Sequence, residues 1–361
     1  MPSIHTTRWL GALLDPAGPN EPPRRPLTAA GIESLCRFAD AHSILPVVTA
    51  NLHRLADAAG ARRVIKTNGN PQGPDALTAA LEWARRRLAE RTALALMVRR
   101  QLDRIATAAA RRGVPMAQLK GGEFADRLYD SPSLRTFSDL DLIVSTDALD
   151  QTEAVMSDLG YTAVSLPNLK HDGDYGERCW RPAESDGGSA TVEVHWNLVN
   201  SPALRTGVSV QYEDLQFDGD GHTSGLNTTT PASLLLVAAV HGATGHQFDR
   251  LGLLCDLLCA ARGAAGPLDE DYLKEAIRHT GCAAAMSMGL HLCERFFGER
   301  GQACKELQRR LGLAAPSIAA RLLVTPGVVL GVRTPLVRAR RLAFRQGLKK
   351  PQSIRIGGAR T

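Results

Sequence analysis

The sequence predicts an α+β fold: a small mixed sheet with its own helices, flanked by an N-terminal and a C-terminal helical region. Three observations carry this. Apolar residues recur at three and four positions over residues 75–111, and the chain is again helical from Pro231 onward. Between these stretches the texture changes to short apolar runs punctuated by glycine and proline: "GVPMAQLKGG", "DLDLIV", "YTAVSL" and "ATVEVHWNLV". The chain has 361 residues, enough for two or three compact units, and shows no internal repeat.

Residues 1–26 are proline-rich, end in "NEPPRRP" and suggest an extended or loosely packed arm. Residues 27–111 form an N-terminal helical region. Leu35, Phe38, Ala39, Ile44 and Leu45 mark one helical face, interrupted at Pro46, and "IKTNGNPQGP" (65–74) is a turn-rich linker. A long helix follows from about Asp75 to Arg111, with Leu94, Met97, Val98, Leu102, Ile105 and Ala109 on its apolar side. Residues 112–225 hold the mixed core. A short strand leads to a glycine pair and a helix over 122–130, then the loop "SPSLRTFS" and the strand "DLDLIV". A helix over 147–159 ends at Gly160, followed by the strand "YTAVSL", a polar glycine-rich segment (167–189) and the strand at 190–199. Residues 226–306 are a helical domain and 307–361 a basic tail.

Composition bounds the function. A hydrophobic fraction of 44% and a charged fraction of 22% are those of an ordinary soluble protein. No apolar run approaches the ~18 to 20 residues that cross a bilayer, and the first residues lack the pattern of a secretory signal. The seven scattered cysteines suit reduced thiols, and hence a cytoplasmic location. The net charge of +6 is unevenly spread: after Glu306 there are ten Arg, two Lys and no acid, so that segment carries +12. Such a tail is either solvated and partly disordered or a surface for nucleic acid or an acidic membrane. Phe344 is its only aromatic residue, which argues against a base-stacking surface.

The chemistry lies in "LKGGEFADRLYDSPSLRTFSDLDLIV", residues 119–144. On a strand, positions i and i+2 share a face, so Asp139 and Asp141 project together. Two carboxylates so placed repel unless a cation sits between them, and magnesium, with its preference for oxygen ligands and phosphate, is the usual partner. Glu193, in the strand-like "VEVHW", is a candidate third carboxylate. Gly121 and Gly122 stand between a strand and a helix, where free N–H groups and the helix dipole favour an anion, and Lys120 adds a positive charge. A lone D-x-D is usually a polar strand edge. The combination with the glycine turn is far more specific.

These motifs resemble an uncharacterised nucleotidyltransferase family of the DNA polymerase β-like nucleotidyltransferase superfamily. The resemblance extends over about residues 90–300 through "VEVHW" and through His241 with "LLCDLL" around Asp256. It implies that Asp139, Asp141 and Glu193 hold the metal, and that Gly121 lies at the phosphate. Arg135 and Ser138 would contact phosphate or pin the loop. The superfamily's phosphate turn usually carries Gly-Ser, whereas this chain has Lys120-Gly121-Gly122.

His195 shares the Glu193 face and suits either phosphate orientation and proton transfer or a structural role. Trp196, opposite, suits core packing. His241 and His246 are poorly spaced for a zinc site, and Cys255 and Cys259 suit buried small hydrophobes. The sequence thus predicts a magnesium-dependent enzyme, with manganese as an alternative ion, that moves NMP from an NTP to a hydroxyl or phosphate of a small-molecule, peptide or protein acceptor. The rival readings are a non-catalytic nucleotide-binding or antitoxin-like regulatory protein, and a nucleic-acid-modifying enzyme that rests on the basic tail alone.

Overall fold

The fold comes from a computed structural model, which describes residues 4–59, 64, 73–164, 175–183, 190–218 and 226–349. Most of the expected 65–74 linker, much of the 167–189 segment and the last 12 residues of the tail lie outside the described residues.

Helices α1 (Ile4–Leu13), α2 (Ala29–Ala41) and α3 (Leu45–Ala59) open the chain. The expectation of an extended arm over residues 1–26 misses α1, whose Trp9 and Leu13 are fully buried. Pro46 does not interrupt a helix. It lies in the first turn of α3, where its missing N–H has no partner to lose. Helix α4 (Gly73–Arg112) then runs 40 residues to the sheet.

The sheet comprises β1 (Met116–Leu119), β2 (Leu140–Val144), β3 (Tyr161–Val164), β4 (Glu177–Pro182) and β5 (Val192–His195), in the order β1-β2-β5-β4-β3. Helix α5 (Gly121–Leu128) joins β1 to β2, and α6 (Leu149–Asp158) precedes β3. All pairings are antiparallel except β2 with β5, where Asp141 sits opposite Glu193 and Ile143 opposite His195. Strand β4 was not expected. It lies within the polar segment and places β5 at the centre of the sheet.

The pleat separates the two faces. Leu140, Leu142, Val144, Val192 and Val194 pack under α4 and α6 with Val98, Ile105 and Met156. Gln101 of α4 fastens this layer: its Nε2 donates to Tyr161 Oη (3.0 Å) and its Oε1 accepts from Ala190 N (2.9 Å). The opposite face presents Asp141, Glu193 and His195 to the helical part of the molecule.

That part consists of α7 (Pro231–Val240), α8 (Leu251–Ala261), α9 (Glu270–Thr280), α10 (Ala283–Phe297) and α11 (Gln302–Arg310). They share one apolar core with α1–α3, in which Trp9, Leu35, Val48, Leu235, Leu254 and Leu290 take part. Buried Asp15 locks the two ends together, accepting from Arg262 at 2.7 and 2.8 Å and from Arg300 at 3.3 Å. All seven cysteines are buried free thiols.

Residues 307–349 depart from the reading of a solvated tail. They include α12 (Ile318–Leu323) and α13 (Pro335–Gly347), and bury Val328, Val329, Phe344 and Leu348. Arg341 of α13 pairs with Asp249 at 2.9 Å. Among the described residues, the arginines of α13 ride on an amphipathic helix rather than on a free chain.

Candidate active site

The turn after β1 sets the first group in place. Lys120 has φ +47° and ψ −143°, and Gly121 has φ +37°. A non-glycine residue rarely occupies the first conformation, and backbone strain of this kind concentrates at functional sites. It lets the chain reverse into α5 while the Lys120 ammonium reaches Asp141 Oδ1 at 2.6 Å. Gly121 lines the cleft beyond. Gly122 does not: a Cβ there would lie 2.7 Å from Gln118 Nε2, so this glycine makes room for a buried side chain.

Strand β2 supplies Asp141, while Asp139 stands just before the strand, half-buried, with Ser138 exposed beside it. The parallel ladder brings Glu193 level with Asp141. His195 follows on the same face, with Nε2 3.0 Å from Asp141 Oδ1 and 3.8 Å from Glu193 Oε2. Its Nδ1 lies 3.2 Å from Glu177 Oε2 and 3.3 Å from Asn200 Oδ1. Glu177 comes from β4 and sequence reasoning missed it. So did Cys179, two residues on, whose register partner is Glu193.

Arg135 also lines the cleft, but its guanidinium is engaged. Nε and Nη2 donate to the two oxygens of Asp256 at 2.9 and 3.0 Å, and Nη1 to Gly121 O at 3.1 Å. Tyr129 Oη donates to the same carboxylate at 2.7 Å. This buried cluster pins the "SPSLRTFS" loop and the glycine turn to α8.

The cleft holds about 390 Å³. Asp139, Asp141, Glu193 and His195 form one side, and His241, Thr244 and Arg250 belong to the other. A π-turn over His241–Gly245 extends α7, and the loop after it brings the rings of His241 and His246 to 4.8 Å, edge to face. Single π-turns inside helices recur at functional sites. Burial pushes the His241 imidazole well below its ordinary pKa, with Lys120 adding to the effect, and it pushes His246 down to about 4 with Arg250. Arg91 of α4 and Arg345 of α13 add positive charge to the cleft.

Charge balance on the carboxylate side is uneven. Burial alone would raise the pKa of Asp141, but Lys120 and His195 outweigh it and hold the group far below its ordinary value. Glu193 goes the other way, pushed up to about 9 by burial, then by Asp141 and Glu177. Burial and Asp141 raise Asp139 as well. Glu177 Oε2 is buried with no hydrogen-bond partner. The residues fit a divalent cation. Ligand atoms of Asp141, Glu193 and His195 lie within 4.8 Å of one another, as do those of Glu177, Cys179 and Glu193. Most of the residues expected from the sequence therefore meet at one cleft, and Gly122 stands outside it.

The profile of a family described as uncharacterised nucleotidyltransferase matches residues 28–298, three quarters of the chain, and the protein belongs to that family. No curated protein and no solved structure matches the chain.

Proposed function

We propose that this family member transfers NMP from an NTP to a hydroxyl or phosphate oxygen of an acceptor, with a divalent cation held by Asp139, Asp141 and Glu193. The observation that carries this is the register of the parallel ladder: Asp141 and Glu193 stand side by side on neighbouring strands, with Asp139 lining the same cleft. A bound cation would supply charge neutralisation at the α-phosphate and bring the acceptor oxygen into line. The protein's own groups do the rest. Lys120 and Gly121, at the start of α5, line the cleft that an incoming phosphate would enter, while Arg91 and Arg345 add attraction for a polyanion. The acceptor oxygen forms a bond to the α-phosphorus, the α–β bridging bond breaks, and pyrophosphate leaves. The acceptor proton passes to the carboxylate cluster. Catalysis on this reading is mainly positioning and electrostatics.

The test is pyrophosphate release from each NTP, with a panel of hydroxyl and phosphate acceptors and with magnesium or manganese. NMP found on an acceptor, lost in Asp139→Asn, supports the proposal. Tight NTP binding with no release under any condition overturns it. That outcome would favour the second reading, a nucleotide-binding regulator, for which the Lys120 ammonium on Asp141 is the supporting feature: one metal carboxylate already has a counter-charge.

A further inference from the structure

An imidazole among the carboxylates changes what kind of cation the site prefers. Magnesium takes oxygen ligands in a near-ideal octahedron and has little affinity for nitrogen. Imidazole nitrogen suits first-row transition ions, with affinity rising from manganese towards zinc. The donor set here is mixed: two carboxylates and one ring nitrogen with ligand atoms within 4.8 Å. Resting on the proposed function, we propose that His195 Nε2 is a direct ligand of the cation shared by Asp141 and Glu193. The site is then selective for a nitrogen-accepting divalent ion such as Mn²⁺ over Mg²⁺, and Asn200 orients the ring.

The surroundings of His195 carry the argument. The ring is almost completely enclosed and both of its nitrogens face acceptors. A neutral imidazole has one N–H. If Nδ1 carries it, Asn200 Oδ1 is its acceptor, and the Nε2 lone pair is left pointing at Asp141 Oδ1, with Glu193 Oε2 beyond at 3.8 Å. A lone pair aimed at the ionised Asp141 oxygen is repulsive unless a cation lies beside them. An oxygen acceptor behind the far nitrogen is also how metal-bound histidines are held in one tautomer. Asn200 Oδ1 supplies it at 3.3 Å from Nδ1, while the buried Glu177 Oε2 lies 3.2 Å from the same nitrogen without a hydrogen bond. Lys120 occupies one direction of Asp141 Oδ1 at 2.6 Å. The competing account is a ring that donates from Nε2 to Asp141 Oδ1 and takes no part in metal binding.

Pulsed electron paramagnetic resonance on the full chain loaded with MnCl₂ separates the two. A directly bound histidine gives nitrogen modulation of the manganese echo. ¹⁵N-histidine labelling of the wild type must change that pattern, which keeps the test valid if a variant misfolds. Calorimetry with MnCl₂ and MgCl₂ alone should give roughly tenfold tighter manganese binding, in line with imidazole's preference. That advantage should fall away in His195→Gln, and Asn200→Ala should weaken manganese about tenfold. Bound manganese without nitrogen modulation, or no manganese binding, overturns the inference even if NMP transfer is intact. Nitrogen modulation with no transfer from any NTP sustains the ligand and refutes the proposed activity instead.

Discussion

Replacing Glu193 by glutamine gives a pH signature that follows from its surroundings. The side chain is 27% exposed, between Asp141 and Glu177 in a buried cluster, and its pKa rises from an ordinary 4.5 to about 9. Without a divalent cation the folded protein therefore binds one proton more than the unfolded chain across that interval. Stability falls as pH rises wherever the native state holds the extra proton, at about 1.4 kcal/mol per pH unit for one proton. The stabilisation is complete below about 4.5, lost progressively up to about 9, and constant above. Glutamine matches the protonated form in size and polarity and has no such slope. Urea unfolding of both proteins in chelator at pH 6, 7 and 8 should show the variant gaining about 2.7 kcal/mol on the wild type over those two units. Titrating groups that Glu193 does not perturb, His246 among them, are common to both chains and cancel in the difference. A saturating divalent cation should flatten the wild-type slope, because it replaces the proton. Parallel stability curves for the two proteins in chelator would refute the reasoning.

Further outcomes follow from the same cluster. Asp139→Asn and Asp141→Asn should both abolish NMP transfer but part company in stability: relief of repulsion leaves Asp139→Asn unchanged or more stable in chelator. Asp141→Asn strands the buried Lys120 ammonium and should cost about 3 kcal/mol in thermal melts, and equal melting temperatures would contradict this. Arg135→Met leaves Asp256 buried without its guanidinium and should cost about 3–5 kcal/mol in urea titrations, whereas a loss below about 1 kcal/mol would mean the pair is dispensable. Gly121→Val puts a branched side chain at φ +37° on the cleft wall, so NTP affinity by calorimetry should drop in a folded but less stable protein, and unchanged affinity would remove the phosphate from this turn.

How much of this could be read from the residues varies by element. The strand at Asp141, the Lys-Gly turn between strand and helix, and "VEVHW" are local patterns whose apolar halves alternate with their chemistry. They were legible because strand-forming apolar residues and ionisable residues sit in one short run. Strand β4, "ERCWRP", was not: only Cys179 and Trp180 are buried, and the rest is polar because it faces the cleft or solvent. Such a strand exists through its partners rather than its composition. With it, Glu177 was missed. The role of Arg135 depends on Asp256, 121 residues away, and no local signal announces that pairing. Helix α1 was hidden by the prolines after it, since its stability comes from burying Trp9 and Leu13 against distant helices. The packed basic helix α13 was masked by its own charge, with only Val337 and Phe344 of its residues buried.

The ladder that sets Asp141 against Glu193 also ties ion binding to the final stages of folding. Asp141 and His195 are 54 positions apart, and the strand that carries His195 inserts between two others already in the chain. No hairpin or early fragment contains the complete donor set. Contacts of such separation form late, because the intervening loop must be closed before they repay its entropy. Divalent cations should therefore leave refolding almost unchanged in rate and act by slowing unfolding, since they recognise an arrangement that only the finished sheet presents.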